Sequence, residues 1–281
     1  MLKTRVLTAL VLVPLVLAAM FLLNVRAWGA VTLLVVAIGA AEWARLASYD
    51  ARRMMLFVGA TLASGACLLW LPEAGLVAGR GWPDDLVVAI CGAATLFWVA
   101  IVPLWLYRGS QVRSRALLAI AGWLVLISTW FAVVHIQARS PGLLLALMAI
   151  VWIADTAAYF SGRLFGRRKL APSISPGKTW EGVYGALFAV GAYAIALLSI
   201  SARGGYTQAI GIGAAIAWVV LVMLVAGLSI FGDLFESMLK RQRGVKDSGN
   251  VLPGHGGVLD RIDALTAAMP AAALIAHYVI R

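Results

Sequence analysis

Apolar residues in this chain come in long runs, not in the alternation of a half-buried strand or the stripe of an amphipathic helix. A helix that crosses a bilayer needs about 20 such residues, within a range of about 17–25. About nine runs qualify, near positions 5–24, 28–47, 54–71, 86–107, 115–137, 142–162, 180–201, 206–231 and 264–280. The third and ninth are the shortest. Val16-Leu17-Ala18 resembles a signal-peptidase site, but the first run is too long for an ordinary signal peptide and reads as a membrane helix. The pattern predicts an all-α, polytopic transmembrane protein with about nine membrane-spanning helices. No internal repeat and no matched pair of broken helices is visible.

The polar segments between the runs carry an orientation signal. With the N-terminus in the cytoplasm, cytoplasmic segments hold 18 of the 23 Lys and Arg residues: Lys3, Arg5, Arg45, Arg52, Arg53, Arg108, Arg113, Arg115, Arg163, Arg167, Arg168, Lys169, Lys178, Lys240, Arg241, Arg243, Lys246 and Arg261. Only Arg26, Arg80, Arg139, Arg203 and Arg281 fall on the other side. Lys and Arg concentrate on the cytoplasmic side of membrane proteins. The alternation holds across all nine runs, and a missed helix would scramble it. A multi-pass protein of the cell inner (plasma) membrane is expected, with the N-terminus and the active-site loops cytoplasmic.

Composition agrees. The 281 residues are 63% hydrophobic and 12% charged, at a mean hydropathy of +0.94. Soluble domains carry about 25% charged residues. The net charge of +11 suits anionic lipid headgroups, and no nucleic-acid motif accompanies it. Cys67 and Cys91 lie inside apolar runs, without a disulfide framework or a CxxC metal pair. His135 and His277 also sit in hydrophobic stretches and read as packing or interfacial residues.

The N-terminal transmembrane helices, 1–140, are chemically quiet. Glu42 and Arg45, three apart on one helix, are placed to pair with each other. Glu73, Asp84 and Asp85 read as solvated residues of an outer loop. The region 141–281 holds seven of the twelve acidic residues, in two polar stretches that interrupt apolar helices. It reads as a catalytic region with cytoplasmic motif loops.

The first stretch runs from Asp155 to Gly182. A carboxylate inside an apolar helix costs roughly 2.5–3.5 kcal/mol on insertion scales, so Asp155 needs an arginine partner or a polar pocket wall. Gly177-Lys178-Thr179 is not the end of a P-loop, because position 172 is proline where that pattern needs glycine. Ser175, Lys178 and Thr179 are expected at the start of a helix, where amides, an ammonium and hydroxyls suit a phosphate. Glu181 reads equally well as a capping carboxylate.

The second stretch runs from Asp233 to Asp263. Asp233, Glu236, Ser237 and Lys240 fall at i, i+3, i+4 and i+7 and share one helical face. Pro253-Gly254-His255-Gly256-Gly257 cannot be regular helix. Asp260 and Asp263 then stand one turn apart at the next helix start. Paired carboxylates beside basic residues suit Mg²⁺, a hard cation that bridges carboxylates to phosphates.

The run Ser237-x-x-Lys240-Arg241-x4-Lys246-Asp247-x-Gly249-x-x-Leu252-Pro253-x-His255-Gly256-Gly257-x-x-Asp260-Arg261-x-Asp263 closely resembles the defining motif of the phosphatidate cytidylyltransferases (CDP-diacylglycerol synthases). The stretch from Asp155 to Gly182 is similar to that family's upstream motif. Together they cover 59 of the 281 residues. The resemblance implies a membrane nucleotidyltransferase of phospholipid biosynthesis that joins CTP and phosphatidic acid, giving CDP-diacylglycerol and pyrophosphate. It implies metal at Asp233, Asp260 and Asp263. Phosphate or nucleotide contacts fall to Ser175, Lys178, Thr179, Lys240, Arg241, Lys246 and Arg261. The catalytic set is then Asp233, His255, Asp260, Asp263 and Lys178, with His255 either bonding a phosphate or protonating the leaving group. It implies Mg²⁺ as cofactor, leaves room for K⁺ at a second site, and points to a homodimer in contact with membrane lipids. A cytidylyltransferase of another lipid phosphate shares this chemistry. A transporter of a phosphorylated solute would spread charge along a path through the helices, and a lipid-anchored scaffold leaves the aspartates unexplained.

Overall fold

The computed structural model describes residues 2–71, 81–109, 112, 114–203 and 211–279. Glu73, Arg80, Arg113 and Arg281 lie outside the described residues, as do the side chains of Lys3, Arg5 and Arg203. Nine helices form among the described residues: α1 (Leu2–Leu22), α2 (Val25–Leu46), α3 (Ala51–Leu69), α4 (Asp84–Arg108), α5 (Arg115–Arg139), α6 (Pro141–Phe165), α7 (Trp180–Arg203), α8 (Ile212–Arg243) and α9 (Leu259–Val279). Eight of them, α2 to α9, are long and apolar enough to cross a membrane. The described side chains of α1 cover Val6–Leu22, an apolar helix in its own right, and the third and ninth runs, expected to be the weakest, give the two least apolar of the eight spans, α3 and α9. The chain is a polytopic all-α membrane protein. A two-stranded hairpin, β1 (Lys169–Ala171) antiparallel to β2 (Ser175–Thr179), caps the α6–α7 turn and was not expected from the sequence.

Local chemistry explains where the helices begin and end. Asn24, Asp50, Ser114 and Ser140 each accept a backbone N–H from the first turn of the helix that follows. Gly244 closes α8 at φ 71°, a conformation costly for any residue with a Cβ. Pro103 has no N–H to donate, and α4 widens into a π-helical turn at Phe97–Ile101 just before it.

α5 and α9 form the buried centre, where α9 packs against α4, α5 and α8. The buried face of α9 is mostly alanine, at positions 264, 267, 268, 271, 272, 273 and 276. Small side chains let helices approach closely where lipid supplies no hydrophobic drive between them. Phe235 of α8 sits among Trp43, Phe97, Trp98 and Trp105, with ring centroids 5.5–6.1 Å apart. That clamp sets the rotation of α8, so that its polar face turns toward α9.

Hydrogen bonds sort the connections into two ends. At one end Tyr49 donates to the Arg115 carbonyl, Thr8 to the Pro253 carbonyl, and Arg241 to the Ile174 carbonyl. At the other Gln137 donates to the Met20 and Leu23 carbonyls, Trp82 N–H to His135, and Arg139 to the Ala276 carbonyl. α1 therefore runs the full depth of the bundle, from Thr8 at the first end to Leu23 at the second. In a background with Cys67 and Cys91 replaced by alanine, cysteines at Arg167 and Arg243 should react with an impermeant thiol reagent from one face of the membrane only. A cysteine at Gly211 should react from the opposite face only. Labelling of 167 and 211 from the same face would contradict the two-ended arrangement.

Candidate active site

α8 has 32 residues, and at 1.5 Å per residue Asp233 lies roughly 32 Å from its start. A hydrocarbon core is about 30 Å thick. The polar face of α8 thus begins where lipid would end, and the acids and bases gather at that level. A Cβ at Gly232 would collide with the Asp263 carbonyl, so the α8 and α9 backbones meet there at a distance only glycine permits. A similar approach at Gly182, whose Cβ would stand 2.9 Å from the Ala158 carbonyl, brings α7 against α6.

The β1–β2 hairpin delivers the lysine of the first stretch. Ser175, Lys178 and Thr179 lie in β2, paired with Lys169 to Ala171, and β2 runs directly into the start of α7 at Trp180. Thr179 supplies the cap: its Oγ1 accepts the Gly182 N–H at 3.2 Å. Glu181 reaches backward and accepts the Arg167 and Arg168 amides at 3.1–3.3 Å, pinning the hairpin to α7. Lys178 Nζ then stands 2.6 Å from Asp233 Oδ2, while Ser237 donates to Asp233 Oδ1 at 3.2 Å. Asp155 is within electrostatic range of both Lys178 and Asp233, and no arginine pairs with it among the described residues. It stands close to the Lys178–Asp233 ion pair.

The second lysine is deeper. Lys240 Nζ lies 2.6 Å from Asp260 Oδ1 and 3.5 Å from Glu236 Oε1, with all three side chains nearly out of solvent. Asp260 Oδ2 accepts the Ser248 and Gly257 amides and the Ser248 hydroxyl at 2.8–2.9 Å. The Gly-rich loop is held by Arg261, whose Nε and Nη2 donate to the His255 carbonyl at 2.9 and 2.5 Å. His255 Nδ1 is buried without a hydrogen-bond partner among the described residues. Arg241 is exposed and holds the Ile174 carbonyl, and Lys246 is exposed in the loop after Gly244.

The sequence-predicted carboxylates therefore separate into two groups. Asp260 faces Lys240 and the loop amides. Asp263 faces Glu236 and Asp233. Among the described residues no three His, Cys, Asp or Glu side chains close into a ready metal cage. The donor set nonetheless suits a hard cation. Both carboxylate oxygens of Glu236 are buried without a hydrogen-bond donor, and Asp263 is beside them. Adjacent carboxylates in a place without water need a cation or a shared proton. Glu236 was not singled out as a ligand from sequence; its place on the Asp233–Lys240 face was the available signal.

Glu42 and Arg45 do pair, as their spacing suggested, but that pair is the lesser part of what Glu42 binds. Arg45 lies 4.0 Å away and half exposed, whereas Glu42 is fully buried and accepts from Ser248, Val258 and Leu259.

The cytidylyltransferase family matches residues 3–279, and with them every group described above. The chain belongs to that family. It is 41% identical to a phosphatidate cytidylyltransferase of Pseudomonas aeruginosa, across 96% of this chain and 95% of that protein. It is 38% identical to the phosphatidate cytidylyltransferase of Haemophilus influenzae, across 96% of each. Likeness to a Brucella suis phosphatidate cytidylyltransferase rises to 50% over a shorter stretch of 123 residues, 43% of this chain and 42% of that one. The family match spans both polar stretches and the cluster at the end of α8.

The two carboxylate groups respond differently to neutralisation. Asp260→Asn removes the charge that holds Lys240 and two amides, and breaking such a buried pair costs roughly 3 kcal/mol. Its melting temperature should fall. Asp263→Asn relieves repulsion with Glu236. Its melting temperature should hold or rise. Thermal unfolding of both variants in one detergent checks this; equal losses would mean that Asp263 is also held by a cation partner.

Proposed function

We propose that the protein joins CTP and phosphatidate, releasing pyrophosphate and leaving CDP-diacylglycerol in the membrane. The observation that carries this reading is the convergence of Lys178 and Lys240, from separate segments, on the carboxylates at the polar end of α8. Full-length likeness to proteins named for this reaction supports it.

The chemistry asks for little covalent help. A phosphate oxygen of phosphatidate attacks the α-phosphorus of CTP, a new P–O–P bond forms, and the bond to the β-phosphate breaks. The substrate supplies the nucleophile, so no serine or cysteine is needed. The work is to bring two polyanions together and to stabilise charge as pyrophosphate departs. Lys178, on a hairpin anchored by Glu181, is placed to take one phosphate when Asp233 releases it. Lys240 is tied to Asp260 and acts as a fixed positive field. Arg241, Lys246 and Arg261 line the exposed side, where a nucleotide would enter. Ser175 and Thr179 flank Lys178, with Thr179 occupied as the α7 cap. His255 Nδ1, without a partner among the described residues, is placed to bond a phosphate oxygen or to give a proton to pyrophosphate.

Asp233, Glu236 and Asp263 would hold Mg²⁺, with Asp260 beside them on Lys240, and the family resemblance adds K⁺ at a second site. When bound, a divalent ion neutralises phosphate charge and polarises the phosphorus under attack. We place the polar end on the cytoplasmic side of a bacterial inner membrane, supported by the distribution of Lys and Arg and by the bacterial relatives. A homodimer is proposed from the family resemblance; cross-linking in the membrane before detergent is added tests it.

Purified protein given labelled CTP, phosphatidate and Mg²⁺ should yield a labelled lipid and pyrophosphate, and chelation of divalent ions should abolish the yield. An ether-lipid or polyprenyl phosphate that outcompetes phosphatidate would shift the reading to another lipid acceptor. Lys178→Ala should cut turnover by about 10²-fold or more. Its melting should stay within about 1 kcal/mol of the parent, because the Lys178–Asp233 pair is partly solvated. A destabilised variant with normal turnover per folded molecule would make Lys178 structural.

A further inference from the structure

Glu42 lies on α2, in the chemically quiet part of the chain, and is completely buried. Its Oε1 accepts the Val258 amide at 3.0 Å, and its Oε2 accepts the Leu259 amide at 2.8 Å. These are amides at the N-terminus of α9, which lack partners inside the helix and carry the positive end of its dipole. Oε2 also receives the Ser248 hydroxyl at 3.1 Å. That hydroxyl stands 2.9 Å from Asp260 Oδ2 as well, so one proton bridges two carboxylates.

The glycines of the loop record the same contact. A Cβ on Gly249 would run into Glu42 Oε1, and a Cβ on Gly257 would come within 2.6 Å of Oε2. Two motif glycines thus leave room for a side chain more than 200 positions away. A loose ion pair with Arg45 does not account for this arrangement, since Arg45 is half exposed and at the limit of contact.

We propose that Glu42 is a positioning residue for the reaction. It locks the 248–259 loop and the start of α9 onto α2, and so sets where Asp260 stands toward the substrate phosphates. The proposal rests on the cytidylyl-transfer reading given above. Glutamine at this position keeps the shape but turns an NH₂ toward an amide donor, so at least one of the three bonds is lost. Aspartate keeps two acceptor oxygens on a shorter arm.

The test compares Glu42→Gln, Glu42→Asp, Ser248→Ala and Arg45→Gln in the full-length protein. Three quantities are measured: melting temperature, amide hydrogen exchange of the 247–259 peptide, and kcat with KM for CTP. Glu42→Gln should leave the protein folded at assay temperature and speed loop exchange by about tenfold. It should lower kcat by about tenfold to a hundredfold, with KM for CTP changed by less than about threefold. Glu42→Asp should recover part of kcat. Ser248→Ala, which removes only the bridge, should cost about threefold or more, and should cost less when added to Glu42→Gln than alone. Should Glu42→Gln fail to fold, Ser248→Ala carries the same test from the loop side.

Unchanged loop exchange in Glu42→Gln overturns the locking. Faster exchange with normal kcat per folded molecule makes the contact purely structural and overturns the positioning role. An Arg45→Gln variant that reproduces the Glu42→Gln losses returns Glu42 to an ion-pair role. Parent protein that makes no liponucleotide from CTP and phosphatidate overturns the reaction reading itself. Loop exchange does not depend on the reaction, so the two failures are told apart.

Discussion

Lys240 makes the rest of the site possible. Its ammonium is the near neighbour of two carboxylates, Asp260 and Glu236, in a place where all three side chains are almost free of water. Charges removed from water survive only when paired with good geometry and when their remaining lone pairs are used. Asp260 meets both conditions, through Lys240 on one oxygen and three N–H and O–H donors on the other. Glu236 meets only the first. The imbalance leaves one part of the cluster settled by the protein and another part open to a cation or a substrate.

The arrangement also depends on backbones being closer than ordinary side chains allow. Gly232 admits the Asp263 carbonyl, Gly182 admits the Ala158 carbonyl, and the loop glycines 249 and 257 admit Glu42. These approaches set how closely α8 packs on α9, α7 on α6, and the loop on α2. The aromatic clamp around Phe235 fixes rotation about the α8 axis. Close packing and rotation together decide that Asp233, Glu236 and Lys240 look into the bundle and not into the bilayer, where a bare charge is expensive.

The hairpin carries Lys178 and the Gly-rich loop carries His255. Both are irregular backbone at the end of a membrane bundle, and both are tethered by charged side chains: Glu181 for the hairpin, Arg261 and Glu42 for the loop. Irregular backbone is tolerated at this depth when its amides and carbonyls find protein partners. The tethers satisfy those groups and hold Lys178 against Asp233.

Hydropathy determined the helices, because a lipid solvent permits little besides apolar helix across the core. The position of the polar stretches and the shared face of Asp233, Glu236, Ser237 and Lys240 were equally legible, since both follow from local spacing. The hairpin was not, because pairing of Lys169–Ala171 with Ser175–Thr179 is too short for a periodic signal and depends on Glu181 from the next helix. Nor was the division of the two aspartates: spacing put Asp260 and Asp263 one turn apart, but only the packing of α8 on α9 gave them different neighbours. Glu42 was out of reach for the same reason. Spacing along one helix offered Arg45 as its partner, and what it binds arrives from more than 200 residues downstream, a contact made by tertiary packing and by nothing in the local sequence.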